Sequence, residues 1–243
     1  MDLRRRAPEG QPERQTERRY EWLYGDEAPL LIAERPLAWL PLRLLEEHGE
    51  HLPWGLDGLK AHGVCLRLAE TLQGVVLPAC HLAGIHGDPP AGREDAWRAQ
   101  AAVAGDMLYT EGLLRRHLRE TCQGLANLGF RVVVAYTGHY PAVQTDALAA
   151  VAAECSHAGF TVIPFWEPLA CGGGDHGGKW ETSIFMALRE GGARLSAVAD
   201  RSSGEPGHYR GQRVRETASV ALGEWALRRI EEYLTLAVDE ALG

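Results

Sequence analysis

The chain has 243 residues, of which 45% are apolar and 24% are charged, and this composition fits one globular α/β domain with a sizeable core. The formal net charge of −8 argues against nucleic acid or an anionic membrane as a partner, because both attract basic protein surfaces. The sequence has neither an apolar run of about 18 residues nor a signal peptide, so it predicts no membrane span.

The five cysteines are scattered through the sequence, odd in number and without C-x-x-C spacing. This usage is typical of reduced thiols, and it predicts a cytoplasmic protein.

The first 19 residues are rich in Arg, Glu, Gln, Gly and Pro and have no apolar periodicity. We predict a disordered Arg-rich tail over residues 1–19 and one folded domain over residues 20–243. In chain order, the pattern in that domain predicts a strand at 37–42, a helix at 59–70, a strand at 74–78, a helix at 97–125, a strand at 131–136, a helix at 146–158, a strand at 160–166, and helices at 180–188 and 218–241.

A dense polar segment, residues 46–57, follows the first predicted strand. Alternate side chains of an extended segment share a face, so Glu46 and His48 are expected to point the same way, and the glycine-containing loop can fold Asp57 back toward them. Ligands bind beyond the carboxyl ends of the strands in open α/β sheets. The segment therefore suits a divalent ion such as zinc or manganese, although a solvated polar loop has the same composition.

His139 follows the strand at 131–136, next to a glycine. A histidine at a strand end is well placed to enter a crevice and bind a metal, so we predict that His139 is a further ligand.

A glycine-rich loop covers residues 170–178. Such a loop moves or lets the backbone approach a ligand closely, and it is not a nucleotide fingerprint, because no G-K-[ST] follows. In the next helix Thr182 and Ser183 are expected to cap or orient, since no His–Asp relay surrounds them. In the loop at 191–212, candidates for lining a pocket or a subunit interface are Asp200, His208 and Arg210.

Three ordered segments resemble the creatininase (creatinine amidohydrolase) family of metal-dependent amidohydrolases. Members of this family carry E-Q-H-G-P-H-L-P-x-x-x-D, then G-F with an apolar strand and N-G-H, then H-x-G-x-x-E-T-S. The matching segments here are residues 46–57, 129–139 and 175–183. The resemblance spans residues 23–238. It implies a three-layer α/β/α sandwich with a mostly parallel central sheet, and a homo-oligomer, commonly a hexamer.

The resemblance also implies a site for one or two divalent ions, with zinc favoured over manganese or iron. Creatinine-hydrolysing members have a Glu ligand where this chain has Pro141, and other members complete the site with the Glu of E-T-S, here Glu181. The family's Asn is replaced by Thr137. The implied metal ligands are Glu46, His48, Asp57, His139 and Glu181, with Asp57 as the expected bridge between two ions.

Catalytic roles follow from the same resemblance. Asp175 and His176 match the family's Glu-His pair, and His176 is the predicted general acid/base because an unperturbed histidine titrates near neutrality. The predicted substrate contacts are His86, Tyr140 and Trp166, and His81 in the same loop as His86 is a further candidate.

The resulting prediction is an enzyme that hydrolyses a C–N bond of a small-molecule amide or cyclic amide through metal-activated water, with a substrate other than creatinine. Two alternatives stay open. The same fold could act as a peptidase, a deformylase or an amide-forming biosynthetic enzyme. The second alternative is a non-catalytic scaffold that binds a metal or a small molecule, because Pro141 and Thr137 depart from the family pattern.

Overall fold

Helices and strands alternate along the chain. The computed structural model describes residues 16–80, 84–88, 92–93, 95–97, 99, 106–199 and 206–243. The strands are β1 (Leu37–Leu42), β2 (Val75–Val76), β3 (Val132–Thr137) and β4 (Thr161–Phe165). The helices are α1 (Ala28–Glu34), α2 (Leu56–Leu72), α3 (Glu111–Asn127), α4 (Ala142–Cys155), α5 (Glu167–Cys171), α6 (Lys179–Leu188), α7 (Val214–Thr217) and α8 (Val220–Leu242), with short 3-10 turns at Tyr20–Trp22 and Leu195–Ala197.

The four strands form one parallel sheet in the order β2-β1-β3-β4. Strand β1 lies inside it, since Ala38 pairs with Val75 on one side and Val133 on the other. All six residues of β1 are buried, as expected for a parallel strand that is covered on both faces.

Helices cover both faces of this sheet. Alternate residues of β1 enter different cores: Ala38 packs with α1, α3 and α4, whereas Trp39 packs with α2, α6 and α8. The predicted three-layer α/β/α sandwich with a mostly parallel sheet is therefore confirmed. None of the described helices is long and apolar enough to cross a bilayer.

The structure corrects several predicted boundaries. The single helix expected over 97–125 is wrong, because residues 106–110 are not helical and the Thr110 side chain caps α3 by accepting a hydrogen bond from the Leu113 amide. Strand β2 is shorter than expected. Helix α5 begins before the predicted glycine loop, with a proline in its first turn.

The beginning of the described chain lies beside the sheet. The carbonyl of Arg18, which belongs to the predicted tail, accepts a hydrogen bond from the Val76 amide at 2.8 Å. Residues 1–15 of that tail lie outside the described residues.

Candidate metal centre

The polar residues that the sequence singles out converge at the carboxyl end of the sheet. Glu46 and His48 follow β1, and His139 follows β3, at the edge where open α/β sheets bind ligands. Asp57 and Glu181 lie in the first turns of α2 and α6. All five predicted metal ligands are buried.

Close backbone packing brings two of these segments together. Gly138, between β3 and His139, lies against the Asp57 carbonyl, and a side chain on Gly138 would overlap with it. Only glycine permits this approach. The sequence predicted that the loop at 49–55 can fold Asp57 back toward Glu46 and His48. In the structure Asp57 lies in the first turn of α2, directly after this loop, with its Oδ1 3.1 Å from His48 Nε2.

His48 faces three carboxylates. Its Nε2 lies 3.1 Å from Asp57 Oδ1, 3.6 Å from Glu181 Oε2 and 3.8 Å from Glu46 Oε1. Its Nδ1 donates to the Glu46 carbonyl at 3.1 Å. Because a carbonyl can only accept, this bond fixes the tautomer and leaves the Nε2 lone pair of the neutral ring facing the carboxylates.

His139 is held in the same way on the other side of Asp57. Its Nε2 donates to the Ile85 carbonyl at 3.0 Å, and its Nδ1 lies 2.7 Å from Glu46 Oε1 and 3.7 Å from Asp57 Oδ2. His86 Nε2 lies 2.9 Å from the second Glu46 oxygen. Asp57 therefore presents one oxygen to His48 and the other to His139.

Buried atoms without hydrogen bonds make this cluster a candidate cation site. In the part of the chain that the structure describes, His48 Nε2 and both Asp57 oxygens are buried and have no hydrogen-bond partner. Such atoms are costly unless something else binds them. Among the described residues, three groups have donor atoms that all lie within 4.8 Å of one another inside the group: Glu46–His86–His139, His48–Asp57–Glu181 and Glu46–His48–His176. Imidazole nitrogens with carboxylate oxygens are a donor set that fits zinc or manganese.

The electrostatics of the cluster also favour a cation. Burial by itself would lower the pKa of His48, but Asp57, Glu181 and Glu46 outweigh it and raise the pKa to about 9. Burial raises the pKa of Asp57, and the charges of Glu181 and Glu46 raise it further against the opposing effect of His48. The raised pKa of His48 reflects the buried negative charge around it, and the raised pKa of Asp57 reflects chiefly its burial; a divalent ion bound here would favour the ionised carboxylates.

A buried lysine that was not predicted from the sequence pairs with two carboxylates at the cluster. Lys60 Nζ lies 2.7 Å from Glu181 Oε1 and 2.9 Å from Glu167 Oε1. The Tyr136 hydroxyl also donates to Glu167, at 2.7 Å. One signal was present in the sequence: Lys60 lies three residues after Asp57, which places both on one face of a helix.

His176 stacks on His48, with 4.4 Å between the ring centroids. Its Nε2 donates to the Glu47 carbonyl at 2.7 Å, and its Nδ1 lies 3.6 Å from Glu46 Oε1. Burial lowers the pKa of His176, and the neighbouring His48 lowers it further. The ring is therefore neutral near pH 7, with its free lone pair on Nδ1.

Asp175, next to His176, binds the backbone at the start of α6. Its two oxygens accept hydrogen bonds from the backbone amides of Trp180 at 2.9 Å and Glu181 at 3.2 Å, in the first turn of α6. His51, the second imidazole of the opening segment, donates from Nε2 to the Gly177 carbonyl at 2.9 Å and does not join a metal-binding group of described residues. Both residues thus hold the glycine loop in place.

A cavity of about 600 Å³ opens over the cluster. Among the predicted substrate contacts, His86 and Tyr140 line it, whereas Trp166 is not among the described lining residues and instead directly precedes α5. Pro141 and Arg210 also line the cavity. His81 and Asp200 lie outside the described residues, so the structure does not bear on them.

Comparisons with known proteins agree with this geometry. The profile of the creatininase family, described as creatinine amidohydrolase, matches residues 24–232. A creatinine amidohydrolase of Pseudomonas putida is 28% identical over 182 residues, which cover 66% of this chain and 67% of that relative. A structure named "Creatininase Mn" superposes with a TM-score of 0.70 at 22% identity, and a creatininase variant of "Zn-Zn type" with a TM-score of 0.69 at 22% identity, each covering 93% of this chain and 98% of the other. The resemblance seen in the three sequence segments is confirmed, and the chain belongs to the creatininase family.

Proposed function

We propose that this chain is an amidohydrolase that depends on divalent metal and cleaves a C–N bond of a small-molecule amide or cyclic amide. One observation carries the proposal: buried atoms of His48 and Asp57 that have no hydrogen-bond partner converge with Glu46, His139 and Glu181 below an open cavity. Perturbed and buried titratable groups at a cavity are typical of catalytic sites.

The residues divide between two positions. Glu46, His139 and Asp57 would hold one ion, and His48, Asp57 and Glu181 the other, with Asp57 shared between them. Zinc is the expected metal, with manganese or iron as alternatives, and the solved relatives named for manganese and zinc support this choice. A bound ion of this kind lowers the pKa of water and polarises a carbonyl.

His176 supplies the proton transfer. The neutral ring accepts a proton at Nδ1 from the water whose oxygen adds to the amide carbonyl carbon, and it returns that proton to the nitrogen as the C–N bond breaks. Its Nε2 keeps its own hydrogen, which is donated to the Glu47 carbonyl throughout. Asp175 assists by position, because its bonds to the start of α6 fix the backbone next to His176. Tyr140 borders the cavity, and its hydroxyl donates to the Asp175 carbonyl at 2.8 Å.

The proposal extends to a substrate other than creatinine. Pro141 lines the cavity at the position where creatinine-hydrolysing members have a glutamate, and a proline side chain has no atom that binds a metal. Glu181 takes over that task in this chain. Its Oε1 accepts from Lys60 and its Oε2 from the Gly177 amide at 2.8 Å, so the second oxygen is held facing His48.

We also infer a cytoplasmic homo-oligomer with one domain over residues 20–243. The five cysteines form no disulfide with one another, as expected in a reducing compartment. Trp22 and Tyr24 are exposed at 63% and 73% of their surface, which is typical of residues that a partner subunit covers.

Elemental analysis of the purified protein tests the metal centre. Wild type is expected to hold one to two ions per chain, and His48→Ala and Glu181→Gln are expected to reduce that number. Glu167→Gln is a matched control, since Glu167 also pairs with Lys60 but lies outside the candidate metal groups of the described residues. A chain that takes up no zinc, manganese or iron would refute the proposal. Loss with His48→Ala but not with Glu181→Gln would refute the role of Glu181.

A further inference from the structure

A strained turn places an arginine at the mouth of the cavity. Tyr209 and Gln212 exchange two backbone hydrogen bonds, both of 2.9 Å, and the two residues between them have positive φ, 48° at Arg210 and 76° at Gly211. A two-residue turn with both φ values positive is type I′, which favours Asn, Asp or Gly. Arginine is strained in this conformation, and strain of this kind concentrates at ligand-binding positions.

Arg210 contributes a guanidinium to the lining of the cavity. It is the only Lys or Arg among the described residues that line it. Its guanidinium carbon lies 5.6 Å from the centre of the Tyr209 ring, and that ring stacks toward His176 with 6.4 Å between centroids. The positive group is therefore on the same side of the cavity as the proposed acid/base.

The nearby carboxylates that bind no metal are already engaged. Glu47 accepts from the Gly49 amide at 2.8 Å and from the Tyr209 hydroxyl at 3.2 Å. Asp106 faces the Glu47 amide at 3.4 Å, and Asp175 caps α6. Among the residues that the structure describes, no carboxylate lies within ion-pair distance of Arg210. Its neighbour among the described residues is the neutral Tyr209 side chain, so no carboxylate there uses the planar set of guanidinium donors that a ligand carboxylate would bind.

We propose that Arg210 binds a carboxylate of the substrate, so that the preferred amides carry an acidic group, as N-acyl amino acids and carboxylated lactams do. The inference rests on the proposed amidohydrolase function and names its substrate class. A guanidinium pairs with a carboxylate through two parallel hydrogen bonds, and this fixes orientation as well as adding affinity. The amide carbonyl then lies over the metal-binding residues while the acidic group is held by the turn.

Two ligands that differ only in the acidic group provide the test. Pyroglutamate and pyroglutamamide share the lactam, and their binding to the zinc-loaded protein is measured by calorimetry for wild type, Arg210→Gly, Arg210→Lys and Arg213→Ala. Glycine suits the positive φ at residue 210, so Arg210→Gly removes the charge without adding strain. Arg213 is an exposed arginine of the same loop that pairs with Glu216, and it is the matched control.

Wild type and Arg213→Ala are expected to bind pyroglutamate roughly 10- to 100-fold more tightly than the amide, the range of one charge-assisted pair. Arg210→Gly loses this preference, with amide binding unchanged, and Arg210→Lys keeps part of it. Equal binding of both ligands by wild type, or a preference that survives Arg210→Gly, overturns the inference. Failure of the proposed function is distinguishable, because it appears as absent metal in elemental analysis, whichever ligand binds.

Discussion

Lys60 Nζ lies 2.7 Å from Glu181 Oε1, and both side chains are buried beside the candidate metal centre. The lysine thereby engages one oxygen of the carboxylate and leaves the other, Oε2, directed at His48. It also balances Glu167, so one buried cation serves two carboxylates. Lys60 is a positioning residue for the cluster.

Lys60→Met tests this role. The substitution keeps the apolar stem but leaves Glu181 and Glu167 buried without a cation, and it is expected to lower the free energy of unfolding by about 3–5 kcal/mol. Urea unfolding of the metal-free protein measures the loss. The double variant Lys60→Met/Glu167→Gln removes one of the two stranded charges and is expected to recover part of the stability. Additive losses in the double variant would show that the three groups do not act as a unit.

Gly138→Ala tests the close approach between β3 and α2. The added methyl group would push the Asp57 backbone away, so we expect a loss of stability of about 1–3 kcal/mol together with weaker metal binding. Gly124 in α3 has open space around its Cα, and Gly124→Ala is expected to stabilise the protein by about 0.5–1 kcal/mol. Thermal unfolding and metal titration of both variants give the comparison. Unchanged metal affinity in Gly138→Ala would mean that Asp57 tolerates displacement.

His176→Gln separates proton transfer from metal binding. If His176 handles the proton, turnover of an amide substrate is expected to fall by roughly 10²–10⁴-fold while metal content stays at the wild-type level. His176 also belongs to a possible ligand group with Glu46 and His48. A parallel loss of metal in elemental analysis would assign it to the ligands instead.

Asp175 is expected to behave differently from His176. Asp175→Ala removes the acceptor for two amides of α6, which should cost about 0.5–2 kcal/mol of stability. Asp175→Asn retains one oxygen acceptor and is expected to keep most of the activity. Steady-state kinetics decide the point, because a loss in Asp175→Asn as large as that in His176→Gln would give Asp175 a part in the chemistry.

The strand ends were predictable from the sequence, and so was much of the site. Glu46 and His139 come shortly after apolar runs whose length and composition favour buried strands, and parallel strands end at one edge of the sheet. Because each of these residues is close in sequence to the end of its strand, its place at this edge of the sheet can be predicted without knowledge of the tertiary packing.

The supporting network could not be predicted in this way. Lys60 and Glu181 are 121 positions apart, and a lysine in a helix of mixed composition has the same local pattern whether it is buried or solvated. The prediction of a single helix over 97–125 was wrong for a related reason, because the local pattern does not show where the helix is interrupted. Helix-compatible residues continue across 106–110, and only the Thr110 side chain, a local capping signal, marks where α3 starts.

The wide spacing of the candidate metal ligands along the chain links the cluster to folding. The segments that follow β1 and β3 and the start of α6 are far apart in the sequence, and they come together in the folded sheet with its helices. A partly folded chain cannot assemble all the donors, so an ion that binds here binds the native state alone. Each tenfold rise in free metal above the dissociation constant then adds about 1.4 kcal/mol to the stability of the fold. Metal supply would thus set the lifetime of the protein against proteolysis as well as its activity.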